Sequence, residues 1–151
     1  MCLQIKYIRL VCFWAFFTVP SSMWAAGIDG KSLICKCEGC EIDLINHIHG
    51  WSFVDGVVAH SYFIIHQDRV RIQKKPPMWP YKTDENKIEW DVAGTNFKLS
   101  RSTLDLVGYW GINKPIKCLV YQSRRNFDAE LSRIQSDLQL KYNKKLDTNK
   151  I

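Results

Sequence analysis

Between Lys31 and Ser123, apolar or alternating segments of four to ten residues are cut again and again by turn residues. This close spacing constrains the fold more than any other feature, because it predicts antiparallel strands joined by short connections. Candidate strands are Ser32–Lys36, Trp51–Val54, Val57–His66, Val70–Lys75, Lys87–Val92, Phe97–Ser100, Thr103–Gly108 and Ile116–Gln122. Asp55-Gly56 is a strong two-residue hairpin signal, since glycine tolerates positive φ. Gln67-Asp68-Arg69 and Ala93-Gly94-Thr95-Asn96 read as similar joints. In Lys87–Val92, Ile88, Trp90 and Val92 fall on one face and the charged residues on the other, as in a half-buried strand. Lys74-Lys-Pro-Pro-Met-Trp-Pro-Tyr81 reads as a stiff, extended loop, because its three prolines lack ladder donors. The expected fold class is mainly β: a small antiparallel meander, barrel-like or a sandwich, with one C-terminal amphipathic helix.

That helix is announced by a change of period after Ser123. Phe127, Leu131, Ile134, Leu138 and Tyr142 form one stripe, with Asn126 as the expected N-cap and Asp128 and Glu130 in the first turn. The reading divides the chain into a leader (1–27), a β domain (28–123), a packed helix (124–145) and a frayed tail (146–151).

The leader has the layout of a cleaved secretory signal peptide. Lys6 and Arg9 precede an apolar run from Leu10 to Val19, and small residues at Ala25 and Gly27 suit a cut after Gly27. Ten apolar residues are about half of the ~20 needed to cross a bilayer, so no stable membrane anchor is expected after processing. Trp24 beside the cleavage site keeps an uncleaved signal anchor as the alternative. Arg9, three positions before Cys12, disfavours a lipid-modified cysteine there. A periplasmic or secreted location follows.

Removing the leader leaves 19 Lys and Arg against 15 Asp and Glu, an excess concentrated after Lys114. Aromatic residues do not interleave with these basic ones, so no nucleic-acid partner is expected. Of six cysteines, Cys2 and Cys12 leave with the leader and Cys35, Cys37, Cys40 and Cys118 remain. An even count in an exported protein points to disulfides. Cys35 and Cys37 are alternate strand residues about 6.6 Å apart, which disfavours a bridge between them. Cys37 and Cys40 can bond if the chain turns at Gly39. The preferred pairing is Cys35–Cys118 with Cys37–Cys40; the runner-up is Cys37–Cys118 with Cys35–Cys40.

Two sharper readings of the thiols compete with the staple. A four-thiolate zinc site lacks the usual paired spacing. Thiol-disulfide exchange through Cys37 and Cys40 is the leading functional alternative, although Glu38 and Glu41 raise thiol pKa and blunt reactivity. A periplasmic metal-binding role would rest on His47 and His49, with Asp43 or Asp55 as further ligands, or on His60 and His66, six apart on one strand. No Gly-x-Ser-x-Gly, phosphate-binding loop or His-Glu-x-x-His motif is present, so neither an enzyme nor a cofactor is expected. Trp79, Tyr81 and Trp110 sit beside proline or glycine, where a large ring suits contact with a protein or glycan partner.

Leu33-Ile-Cys35, Trp51-Ser-Phe53, Tyr81-Lys-Thr83, Ile88-Glu-Trp90, Leu99-Ser-Arg-Ser-Thr-Leu104-Asp-Leu106 and Lys117-Cys118, followed by a basic helix, resemble a widespread group of small secreted bacterial proteins of uncharacterised activity. That resemblance supports Cys35–Cys118 and implies no activity. In architecture alone the chain is similar to the periplasmic inhibitors of c-type lysozyme, whose inhibitory loop residues have no counterpart here. The expectation is therefore a monomeric, exported, disulfide-stapled β protein that acts by binding, as an inhibitor-type module would.

Overall fold

The computed structural model describes residues 27–37, 45–108 and 114–148. Eight antiparallel strands follow in chain order: β1 (Ser32–Lys36), β2 (Ile48–Val54), β3 (Val57–His66), β4 (Arg69–Thr83), β5 (Lys87–Val92), β6 (Thr95–Ser100), β7 (Asp105–Val107) and β8 (Ile116–Tyr121). Each pairs with the next, and β8 returns to pair with β1, so the sheet closes into a barrel. Helix α1 (Arg124–Thr148) packs on the outside. Among the described residues, no helix is long and apolar enough to cross a membrane.

Turn chemistry sets the register. Asp55 and Gly56 take φ of 50° and 79°, Gln67 and Asp68 50° and 57°, and Ala93 and Gly94 52° and 82°. All three are two-residue turns of the kind whose twist matches antiparallel strands. The Asp55-Gly56 turn places Val54 opposite Val57, and therefore Trp51 opposite His60 and His49 opposite Tyr62.

Strand alternation then separates two apolar clusters. One face of every strand points into the barrel, where Leu33, Trp51, Phe53, Val58, Ile88, Trp90, Phe97, Leu99, Leu106 and Ile116 are buried. Eight strands enclose an interior that side chains can just fill. On the outer face, Ile34, Ile48, Phe63 and Val70 receive Phe127, Leu131, Ile134 and Leu138 of α1. Gly50 makes the seat: a Cβ there would stand 2.8 Å from the Phe127 Cζ.

Helix α1 starts two residues before the expected cap. Ser123 is the N-cap, its Oγ accepting from the Asn126 N–H at 3.2 Å, and Asn126 lies in the first turn. Asp128 and Glu130 therefore fall beyond that turn, where they pair with Arg124 and Lys74, and with Arg133. The helix continues to Thr148, three residues past the expected end at 145, and the rest of the expected tail lies outside the described residues.

The segment from Lys74 to Tyr81, expected as a loop, instead forms the second half of β4. Its register with β3 jumps from Lys75 opposite His60 to Trp79 opposite Val58. Pro76, Pro77 and Met78 thus stand against Ala59 alone, in a bulge where the missing proline donors interrupt no ladder bond. β5 pairs only with Tyr81, Lys82 and Thr83, so the first half of β4 extends past it. Glutamines from α1 complete that edge: the Val70 N–H donates to Gln139 Oε1 and the Gln135 amide donates to the Val70 carbonyl, both at 2.7 Å.

Cys35 and Cys118 face each other across the β1–β8 seam, bonded, with Cα atoms 4.0 Å apart. This resolves the choice between Cys35 and Cys37 as the partner of Cys118. Cys37 is itself disulfide-bonded; its expected partner, Cys40, lies outside the described residues.

Candidate binding cavity at one barrel end

The barrel end where β2 begins and β5 finishes carries a cavity of ≈ 440 Å³. His49 of β2, His60 and Tyr62 of β3, and Lys75 and Trp79 of β4 wall it, with Asn46 and Val92 at its margin. The alternation that buries Trp51 and Val58 also turns His60, Tyr62 and Trp79 inward. The bulge in β4 then draws Lys75 and Trp79 to positions opposite His60 and Val58, only two residues or about 7 Å apart along β3.

His60 is the centre of an aromatic column. It stacks on Trp51 with ring centroids 4.1 Å apart and on Tyr62 at 5.1 Å, and it meets Trp79 edge-on at 6.3 Å. His49 and His60 are both buried, and a hydrogen bond of 2.9 Å joins His49 Nδ1 to His60 Nε2. The Asn46 carbonyl, 3.1 Å from His49 Nε2, can only accept. His49 therefore carries its proton on Nε2, its Nδ1 accepts, and the His60 Nε2–H donates. His60 Nδ1 is left as an acceptor.

Both rings are neutral at pH 7. Burial lowers His49 from 6.5 to about 4, with the His47 charge adding to the effect against the opposing Asn46 hydrogen bond. Burial likewise lowers His60 to about 3, helped by His49 and by the Lys75 ammonium. Lys75 itself is exposed at the rim and makes no ion pair among the described residues. No carboxylate, serine, threonine or cysteine of the described residues lines this cavity.

The residues singled out from sequence are scattered by the fold. Trp79 is half-buried against the core and walls the cavity. Tyr81 is buried, meets Phe53 edge-on, and donates its hydroxyl to Asp29 Oδ1 at 2.7 Å, a carboxylate oxygen that also accepts from the Gly56 N–H. Burial and the Asp29 contact push the Tyr81 hydroxyl pKa upward. Trp110 lies outside the described residues.

His47 sits in the turn before β2 and borders a different, smaller cavity with Cys37 and Lys36. Its expected neighbour His49 is turned into the barrel instead. His66 is exposed at the β3 terminus while His60 is buried. Among the described residues, no group of three or more His, Cys, Asp or Glu gathers as a metal site. The pair that does form, His49 with His60, was legible in principle: the Asp55-Gly56 turn makes them diagonal neighbours on one face. Comparison of the chain with protein-family models, with curated proteins and with solved structures gives no significant match.

Proposed function

We propose that the protein is an exported, non-catalytic binding module whose ligand or partner inserts into the cavity beside Trp79. The observation that carries this reading is the cavity itself. Its ≈ 440 Å³ lies within the range of small-molecule sites, and it combines aromatic walls with a few polar groups, as such sites do. Eight-stranded barrels with space left at one end are suited to holding one small ligand. The polar groups on the walls are two neutral imidazoles, a phenol, an amide and an ammonium, without the paired acid and base or activated nucleophile that catalysis uses.

Export is supported by the amino-terminal layout and by the Cys35–Cys118 bond, which suits an oxidising compartment. Amino-terminal sequencing of protein recovered outside the cytoplasm is expected to begin at Ile28. Full-length protein confined to the cytoplasm with reduced thiols would refute export.

The cavity is tested with phenylnaphthylamine, an uncharged aromatic dye, titrated into the oxidised protein. One saturable site per chain is expected, weakened about tenfold in Trp79→Ala, the scale of losing one well-packed aromatic contact. Absence of a single saturable site, or binding indifferent to Trp79→Ala, would overturn the reading.

A further inference from the structure

The cavity has a polarity as well as a size. Among the described residues that border it, Lys75 carries the only formal charge, because both imidazoles are neutral and no carboxylate is present. A cationic ligand would meet repulsion from Lys75 with no compensating anion. Both His49 nitrogens and His60 Nε2 are already bonded within the protein and are closed to a ligand. The Lys75 ammonium, the Tyr62 hydroxyl, the Asn46 side-chain amide, the Trp79 indole N–H and His60 Nδ1 remain uncommitted, on walls that include the rings of Trp79 and Tyr62.

Building on the binding reading, we propose that this cavity takes a small aromatic acid, its ring seated against Trp79 and Tyr62 and its anionic group on the Lys75 ammonium. The β4 bulge supports the dimensions. Lys75 and Trp79 stand opposite His60 and Val58, about 7 Å apart along β3, where four regular residues would separate them by about 13 Å. That shorter span matches an aromatic ring with one acidic substituent. The exposed position of Lys75 and the half-buried position of Trp79 set the direction of entry, with ring inward and acid at the rim.

Paired probes test this. Anilinonaphthalene sulfonate and phenylnaphthylamine share an aromatic skeleton and differ by one anionic group. The sulfonate is expected to bind about tenfold more tightly at low salt, the scale of one charge-assisted contact. That preference is expected to vanish in Lys75→Gln and to shrink in 0.5 M salt, used here to bring the screening length to roughly 4–5 Å. Lys75 is exposed and makes no ion pair among the described residues, so Lys75→Gln keeps the wild-type thermal midpoint, which is measured alongside. Equal affinity for the two dyes, or a preference unchanged by Lys75→Gln, would overturn the aromatic-acid assignment and leave the cavity's binding role standing. Failure of both dyes to bind at one site would overturn the binding reading itself.

Discussion

Replacing Gly50 with alanine reverses the sign normally expected of such a change. Glycine inside a strand is conformationally costly, and Gly→Ala at a position with ordinary φ stabilises a protein by about 0.4–1 kcal/mol through the unfolded chain. Gly50 has no positive φ to protect. Its alanine methyl, however, would stand 2.8 Å from Phe127 Cζ, 3.1 Å from Cε2 and 3.2 Å from the Ser61 Cβ. Favourable carbon contacts lie at about 3.5–4.0 Å, so the ring must retreat by roughly 0.7–1.2 Å. Phe127 is fully buried, with Tyr121 edge-on at 6.1 Å and the Arg124 guanidinium over its ring at 5.4 Å, so it moves only with α1.

Overpacking of this kind costs about 1–3 kcal/mol, enough to outweigh the entropic gain. The expected result is a net loss of about 1–2 kcal/mol in urea denaturation of the oxidised protein followed by circular dichroism. A double-mutant cycle isolates the cause. In a Phe127→Ala background, itself destabilised by about 3–5 kcal/mol, Gly50→Ala is expected to become neutral or stabilising. Stabilisation by Gly50→Ala in the wild-type background would refute the claim that the glycine exists to seat the helix.

Other outcomes follow from features already described. Replacing Cys35 and Cys118 together with alanine opens a crosslink between residues 83 apart and is expected to cost about 4–5 kcal/mol by the chain-entropy model, read as a lower urea midpoint. An unchanged midpoint would show that the seam holds without the bond. His49 and His60 have folded pKa values depressed below 6.5, so the unfolded chain binds more protons as pH falls. Their stabilising contribution is complete above pH 6.5 and declines as pH drops from there toward about 4 and 3. Between pH 7 and 5 the wild type is expected to lose about 2 kcal/mol for each histidine, roughly 4 kcal/mol together, and His60→Phe to show a flatter profile; parallel profiles would refute it. Ala93 holds φ of 52° in the β5–β6 turn, where asparagine is tolerated better, so Ala93→Asn is expected to raise stability by about 0.5–1 kcal/mol in the same assay.

Local signals carried most of the barrel. The Asp55-Gly56 turn, the alternation in Lys87–Val92 and the Phe127-to-Leu138 stripe each have a period or a dipeptide that acts without distant partners, and each appears in the structure where expected. The second half of β4 was hidden because three prolines normally exclude a strand; a bulge against Ala59 takes up Pro76 and Pro77, while Pro80 stays in register opposite Val57. The helix starts at residue 124 as its expected bounds had it, but its cap is Ser123 and not Asn126, because both are good caps and the choice depends on where Tyr121 leaves the barrel. The histidine pair required two steps, fixing the hairpin register and then comparing faces. The role of Trp79 as a cavity wall depends on the bulge, so neither was legible from residue types alone.

The placement of the Cys35–Cys118 bond inside the barrel has a consequence for the order of events during maturation. Cys35 is wholly shielded and Cys118 nearly so, at 0% and 3% exposure. The two strands they join are the first and last of the sheet, the pairing with the greatest loop-closure cost. An oxidant large enough to be an enzyme has no approach to either sulfur once this seam is zipped and the interior is filled. Oxidation must therefore occur while the cylinder is still ajar, and a reductant added afterwards has to wait for a spontaneous opening. The rate at which the mature protein loses this bond to excess reductant thus serves as a clock for how often the barrel unlatches.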